Sequence, residues 1–182
     1  MTQTIKLDIM SDPICPWCYI GKAHLDRALE SEPDHPFAIE WHPFQLNPDM
    51  PAEGMDRRSY LEGKFGGKEG AVRAYAPVVE HAEKAGLKIN FEAMQRTPNT
   101  LNAHRLIHWA GIEGRQTAAV SALFKAYFVD ARDIAIYRQL AGGVTVANIL
   151  HGSANPIGGQ NQVIKLRWGV LPEQLKFVEA PS

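Results

Sequence analysis

The run C-P-W-C at residues 15–18 lies between a strand-like and a helix-like segment, and this placement constrains the fold more than any other feature. Apolar residues alternate with polar ones over residues 4–10, which predicts a strand. Pro16 suits the first turn of a helix, because a residue there needs no backbone N–H. We therefore expect both cysteines where a strand turns into a helix.

The first part of the chain predicts a β-α-β unit. The helix that follows the cysteines is expected to run to about residue 31, with Leu25, Ala28 and Leu29 on its inner face. Alternation over residues 37–41 predicts a second strand. The two strands are expected to be parallel, with a right-handed crossover between them.

Residues 48–135 are predicted to be largely helical, as an α-helical insertion after the β-α-β unit. Pro77 is expected to kink or divide the first helix, Gly86 to end it, and Asn99 to cap the next one. An aromatic stripe near residue 124 is interpreted as core packing. The apolar positions that predict these helices are Val72, Tyr75, Val79 and Ala82, then Leu101, Leu106, Ile107 and Trp109, then Val120, Leu123, Phe124, Tyr127 and Phe128.

The character of the chain changes after residue 135, which divides it into a domain over 1–135 and a tail over 136–182. The tail contains two apolar, strand-like runs at residues 144–150 and 162–168. Their lengths suit a β-hairpin, and we hypothesise that such a hairpin occupies vacant positions in the sheet.

Cys15 and Cys18 are the only cysteines in 182 residues. A C-x-x-C between a strand and a helix is typical of a thiol–disulfide redox site. The helix N-terminus favours a thiolate on Cys15, so we predict Cys15 as the attacking thiol and Cys18 as the more buried, resolving thiol. Pro16 is expected to fix the turn, and Trp17 to offer an aromatic flank to a substrate.

Two other interpretations of the cysteines stay open. They are a pair of structural cysteines, or half of a zinc site that histidines would have to complete. His104 and His108 are four residues apart, but Arg105 stands where the metalloprotease pattern needs a glutamate. We therefore expect these histidines to be surface or packing residues, and we predict no metal site.

Composition narrows the function classes. The formal net charge is −1, which gives no reason to expect nucleic acid or an anionic membrane as a partner. The first residues contain no apolar run typical of a signal peptide, and no stretch is apolar enough to span a bilayer. These observations predict a cytoplasmic protein, where a lone cysteine pair is more often catalytic or metal-binding than structural.

Several segments in one order resemble the FrnE-like branch of the DsbA oxidoreductase family. They are S-D-P-I-C-P-W-C-Y-I-G-K at residues 11–22, W-H-P-F-Q-L-N-P at 41–48, R-T-P-N-T-L-N-A-H-R-L-I at 96–107, and L-F-K-A-Y-F at 123–128 with A-R-D-I at 131–134. The resemblance covers residues 4–135. It implies a thioredoxin-like α/β fold with a helical insertion, and it places the redox cysteines at Cys15 and Cys18.

The resemblance ends before the C-terminus. The family finishes its sheet with a hairpin that begins at a Gly-Val-Pro-Thr-like segment with a cis-proline facing the cysteines, and residues 169–172 match it poorly. We therefore expect the C-terminal sheet strands to be replaced or missing. Residues 136–182 instead resemble an internal fragment of a metal-dependent amidohydrolase, without the H-x-H metal pair, so no hydrolase site is predicted.

The leading prediction is a thiol–disulfide oxidoreductase that acts on a protein or small-molecule thiol or disulfide. No metal or organic cofactor is predicted, and glutathione is a candidate co-substrate. A glutathione-dependent isomerase or transferase of the same fold is one alternative. A catalytically inactive fragment or interaction module is the other, because the cis-proline segment is not found. The oligomeric state stays undetermined.

Overall fold

The computed structural model describes residues 4–132, residue 134, and two short strands at 146–149 and 162–165. Strands β1 (Ile5–Ser11) and β2 (Phe37–Pro43) are parallel, with Ile5 opposite Phe37 and Ser11 opposite Pro43. Helix α1 (Pro16–Ser31) connects them. The predicted strand–helix–strand order and the parallel pairing are confirmed, and the α/β, thioredoxin-like fold class is correct.

A helical layer follows, as predicted. It consists of α2 (Arg57–Phe65), α3 (Lys68–Lys84), α4 (Leu101–Ile112) and α5 (Gln116–Phe124), which continues into a π-helical turn at Lys125–Val129. Two very short strands, β3 (Met55–Asp56) and β4 (Arg96–Thr97), pair antiparallel. This pairing holds the start of α2 beside the segment that leads into α4.

The aromatic stripe of α5 and its π-helical turn forms the centre of the core, which confirms the interpretation of these residues as packing. Val120, Leu123, Phe124, Tyr127 and Phe128 are all buried. Tyr19 of α1 stacks on the rings of Phe128 and Phe124, at centroid distances of 5.1 and 5.3 Å. These aromatic contacts hold the helix that begins at the cysteines against the helical layer.

A second cluster joins α1 to α3. Ile20 packs with Val78 and Ala82, which are 2% and 3% exposed. Two of the apolar positions whose spacing predicted this helix, Val72 and Val79, are exposed, because α3 turns the face that carries Tyr75, Val78 and Ala82 towards α1. Ala28 of α1, also predicted to face inwards, is exposed, while Leu25 and Leu29 are half-buried.

Two predictions about helix ends and breaks also need correction. Pro77 lies inside α3 on its exposed side, and the helix is not divided there. Thr100 occupies the N-cap position of α4, but its hydroxyl donates to the buried Asp12 carboxylate and makes no capping hydrogen bond. Asn99 lies one residue earlier, where its Oδ1 accepts the Leu101 N–H at 2.9 Å.

The two strand-like runs of the tail contain strands that pair with each other. β5 (Val146–Ile149) and β6 (Gln162–Lys165) are antiparallel, with Val146 opposite Lys165. They form a two-stranded sheet of their own, so the hypothesis that they extend the sheet of β1 and β2 is wrong for these strands. Two further segments lie outside the described residues: the link that connects β5 to β6, and the Gly-Val-Leu-Pro segment at 169–172. None of the helices that the structure describes has both the length and the apolar character needed to cross a membrane.

Replacing Phe128 by Ala should destabilise the fold strongly, because Phe128 is 0% exposed and stacks on Tyr19. Burial of this size predicts a loss of about 3–5 kcal/mol in the free energy of unfolding, measured by urea denaturation. Val72→Ala, at an exposed position of α3, is the matched control and should change stability by less than about 0.5 kcal/mol. Equal losses in the two variants would contradict the assigned core.

Candidate active site

The structure places Cys15 at the N-cap of α1, where the sequence predicted it. Its backbone is extended (φ −82°, ψ 114°), and Pro16 begins the helix without needing a hydrogen-bond acceptor. The Cys15 Sγ accepts the backbone N–H of Cys18 at 3.4 Å. A sulfur at this position lies against unpaired N–H groups of the first helical turn, which stabilise negative charge on it.

Cys15 and Cys18 are both free thiols, and the ionisation of each affects the other. Such a coupled pair loses its first proton more easily than an isolated thiol and its second proton less easily. The neighbouring Cys15 side chain lowers the pKa of Cys18 to about 6. The pKa of Cys15 is raised, first by the Cys18 side chain and then by burial.

The order of exposure of the two cysteines differs from the prediction. Cys15 is buried, at 9% exposed, and Cys18 is half-buried. The reason is the helical layer, because α2 and α3 stand over the start of α1 and cover Cys15. The attacking role predicted for Cys15 therefore depends on access through a pocket and not on direct exposure.

Asp12 lies at the end of β1 and is completely buried. Its carboxylate accepts hydrogen bonds from the Ile14 N–H at 3.1 Å, the Leu46 N–H at 2.8 Å and the Thr100 hydroxyl at 3.2 Å. Burial raises the pKa of Asp12, and these hydrogen bonds oppose the rise. A charge on Asp12 raises the pKa of Cys18, so the carboxylate works against the thiolate that the Cys15 thiol favours.

His104 is the other buried ionisable group close to Asp12. It is 5% exposed, and its Nε2 has no hydrogen-bond partner among the described residues. Burial lowers the pKa of His104, and the charge on Asp12 opposes this. His108, one turn further along α4, is exposed. The two histidines therefore do not face a common site, which agrees with a packing and a surface role.

Trp17 and Pro16 occupy the predicted flanking positions. The Trp17 side chain is 47% exposed and stands edge-on to the His81 ring, with centroids 5.3 Å apart. Pro16 is the first residue of α1. Both residues, together with Cys15, line one wall of a cavity of about 230 Å³.

The opposite wall of this cavity, which we call the Cys15 pocket, comes from the helical layer. Arg57, Tyr60 and Lys64 of α2 contribute to it, as do Tyr75 of α3 and Tyr127 of the π-helical turn. Cys18 is not among the lining residues. A ligand in the Cys15 pocket would therefore meet Cys15 and not Cys18.

Sequence reasoning missed the polar residues of this pocket. Arg57 is 7% exposed, but in the sequence it is one of two adjacent arginines and nothing separates it from Arg58. Tyr127 was assigned to core packing alone, although its hydroxyl accepts a hydrogen bond from Arg57 at 3.1 Å. A buried polar role for these residues is visible only when α2 and the π-helical turn are placed side by side.

Two other features of the described residues lie away from the cysteines. A larger cleft of about 840 Å³ lies between the β1–β2 sheet and the α4–α5 turn and contains neither cysteine. Asp8, Glu40 and His42 bring potential ligand atoms together on the sheet surface. The two acidic groups are exposed and ion-paired with Lys6, so we assign them no ligand.

Comparisons with known proteins agree with this geometry. The family model of the DSBA-like thioredoxin domain matches residues 6–148. An uncharacterised protein of Bacillus subtilis, YwbO, is 26% identical over 132 residues, which are 72% of this chain and 60% of that protein. A crystal structure of a probable DsbA oxidoreductase from Streptomyces coelicolor is similar, with a TM-score of 0.63 and 27% identity over 75% of this chain and 62% of that one. The chain thus spans about three fifths of the length of these relatives.

The coupling of the two sulfurs can be tested by titration. Cys15→Ala removes the neighbouring thiol, so the pKa of Cys18 should rise from about 6 towards the ordinary thiol value of about 8.5. In Cys18→Ala, the pKa of Cys15 should fall from its raised value, because the neighbouring ionisable sulfur disappears.

The measurement is the ultraviolet absorbance of the thiolate as a function of pH, with the double variant as the blank. Since the first pKa of the pair is lowered, the unmodified protein should already hold one thiolate at neutral pH. Identical titration curves for Cys18 with and without Cys15 would show that the sulfurs are not coupled.

Proposed function

Because the chain belongs to the DSBA-like thioredoxin domain family, we propose that it is a thiol–disulfide oxidoreductase that reacts through Cys15 and Cys18. The observation that carries the proposal is the pair of free thiols at the N-terminus of α1, where the Cys15 Sγ accepts the Cys18 N–H at 3.4 Å and Cys15 lines a pocket. Neither a structural pair nor half of a zinc site requires such a pocket.

The first step is attack by the Cys15 thiolate on a disulfide sulfur of the substrate. A bond forms between Cys15 and that sulfur, the substrate S–S bond breaks, and the second substrate sulfur leaves as a thiolate. Cys18 then attacks the Cys15 sulfur and releases the rest of the substrate as a second thiolate. The substrate is reduced by two electrons, and the two cysteines become a disulfide. The reverse sequence oxidises a dithiol substrate.

Cys15 is the better candidate for the attacking thiol because it lines the pocket. The raised pKa of Cys15 and the lowered pKa of Cys18 place the resting charge on Cys18 and leave the proton on Cys15. Its transfer to Cys18 moves the charge to Cys15. There the Cys18 N–H, at 3.4 Å, stabilises the thiolate during attack.

The cycle needs a second thiol or disulfide to restore the starting state. Glutathione is our candidate for that co-substrate, and no bound metal or organic cofactor takes part in the proposed steps. We also leave the direction of exchange open and propose either a protein or a small molecule as the natural substrate. Both points are proposals because the chain covers only part of the length of its relatives.

Several finer predictions from the sequence stay predictions. They are membership of the FrnE-like branch, the amidohydrolase-like origin of residues 136–182, the domain boundary at residue 135 and the cytoplasmic location. The position of Cys15, its contact with Cys18 and the pocket that it lines depend on none of them.

Substitution of each cysteine tests the proposed roles. Cys15→Ser should reduce the exchange of glutathione disulfide, and the reduction of insulin, to the rate measured without protein, because the attacking thiolate is lost. Cys18→Ser should instead accumulate a mixed disulfide on Cys15, detected by mass spectrometry, because nothing resolves it. Ala28→Ser, at an exposed position of α1, is the control and should keep full activity.

Equal activity in the unmodified protein and in Cys15→Ser would refute the oxidoreductase proposal. Glutathione-dependent turnover of a small aromatic substrate that survives Cys18→Ser would favour the isomerase alternative. If the thiols of the protein exchange with disulfides no faster than a free thiol does, the result would favour the alternative of a catalytically inactive interaction module.

A further inference from the structure

Arg57 is a buried cation without an acidic partner in the part of the chain that the structure describes. Its side chain is 7% exposed, yet it takes part in none of the ion pairs found there. The guanidinium donates to the hydroxyls of Tyr127 and Tyr75, both at 3.1 Å, and lies 5.4 Å from the Tyr75 ring centroid. Buried charges in proteins are nearly always paired, so an unpaired one indicates that something else supplies the negative charge.

The lining of the Cys15 pocket supports the same conclusion independently. It contains two cationic side chains, Arg57 and Lys64, and no aspartate or glutamate. Lys64 also lacks a carboxylate partner within the described residues, since its Nζ donates to the Tyr60 hydroxyl at 2.7 Å and to the Asn47 amide oxygen at 3.2 Å. The pocket in front of Cys15 is therefore positively charged.

The donors of Arg57 are held in place for a planar anion. Two of its five N–H groups go to tyrosine hydroxyls, and the Tyr127 hydroxyl in turn donates to the Arg96 carbonyl at 3.2 Å. These bonds fix the guanidinium plane and leave N–H groups for a ligand. A fixed guanidinium suits a carboxylate, which it can bind through two parallel hydrogen bonds.

From this arrangement, and resting on the disulfide exchange proposed above, we propose that the Cys15 pocket binds the carboxylate of a small thiol or disulfide, with Arg57 as its binding residue. The cavity of about 230 Å³ is smaller than the usual ligand pocket of about 300–1,000 Å³, and it suits one half of a small disulfide. Binding of the carboxylate at Arg57 places the sulfur of the same molecule in a cavity that Cys15 also lines. The pocket thus selects the charge of the substrate, and Cys15 performs the exchange.

Three small disulfides that differ in charge test the proposal: dithiodiglycolate (anionic), bis(2-hydroxyethyl) disulfide (neutral) and cystamine (cationic). Mixed-disulfide formation on Cys15 is followed by mass spectrometry in the Cys18→Ser chain at low ionic strength. Each rate is divided by the rate of the same disulfide with 2-mercaptoethanol, which removes differences in intrinsic reactivity. We expect the normalised rate for the anionic disulfide to exceed the neutral one by about tenfold or more, with the cationic one slowest.

Variants in the same background assign the preference to one residue. Arg57→Gln should lower the anionic-to-neutral ratio by about tenfold, and Arg57→Lys should restore part of it. The matched control is Arg58→Gln, which changes the adjacent, exposed arginine outside the pocket and should leave the ratio unchanged. A ratio near one in the unmodified pocket, or a ratio insensitive to Arg57→Gln, would overturn the carboxylate site.

A second measurement needs neither a variant nor disulfide exchange. It therefore tests the carboxylate site even if Arg57→Gln fails to fold. Sodium propionate should slow the alkylation of Cys15 by neutral iodoacetamide in the full chain, while sodium chloride at the same ionic strength should not. Equal effects of the two salts would also overturn the site. If no disulfide reacts with Cys15 but propionate protects it, the oxidoreductase proposal fails and the anion site stands alone as a binding site.

Discussion

The buried carboxylate of Asp12 is the contact on which the arrangement around the cysteines depends. It accepts one hydrogen bond from the turn before Cys15, one from the loop after β2 and one from the start of α4. These three segments come from different parts of the chain, with up to 88 positions between the partners. A buried carboxylate that loses these donors would be left without compensation for its desolvation, so the three segments are held together strongly.

This arrangement explains why the thiol chemistry and the helical layer belong to one site. Asp12 connects the N-terminus of α1 to α4, and the stacking of Tyr19 on Phe128 connects α1 to the π-helical turn. Residues of α2 and α3 line the pocket together with Cys15, and α2 supplies its cationic side chains, Arg57 and Lys64. The same packing buries Cys15, so chemistry at this sulfur requires a ligand that enters the pocket. In the proposed site, the charge of Arg57 selects the ligands that enter.

The sequence predicts the position of a residue well when contacts with its near neighbours in the chain determine that position. It predicts the position poorly when contacts between distant segments do. The strand before Cys15, the helix after it and the aromatic stripe near Phe124 depend on local alternation or helical spacing, and all three are confirmed. Val72 and Val79 have the same spacing as Tyr75 and Ala82, and only the docking of α3 on α1 decides which pair faces inwards. The exposure of Ala28 has the same cause. The N-cap of α4 lies at Thr100, one residue after the predicted position; the Thr100 hydroxyl bonds to Asp12, and Asn99 accepts the Leu101 N–H.

From the sequence alone, the position of two sulfurs at the start of a helix was determined, because four adjacent residues and their flanking periodicity suffice for it, and the same pattern motivates the proposed thiol–disulfide chemistry. Tertiary structure alone decided which sulfur lines a pocket, how the proton is shared between them, and that Arg57 rather than Arg58 is buried beside Cys15. The burial of a side chain and the charge around it depend on segments that are far apart in the sequence. No local pattern in this chain could supply them before α2, α3 and the π-helical turn were packed around the cysteines.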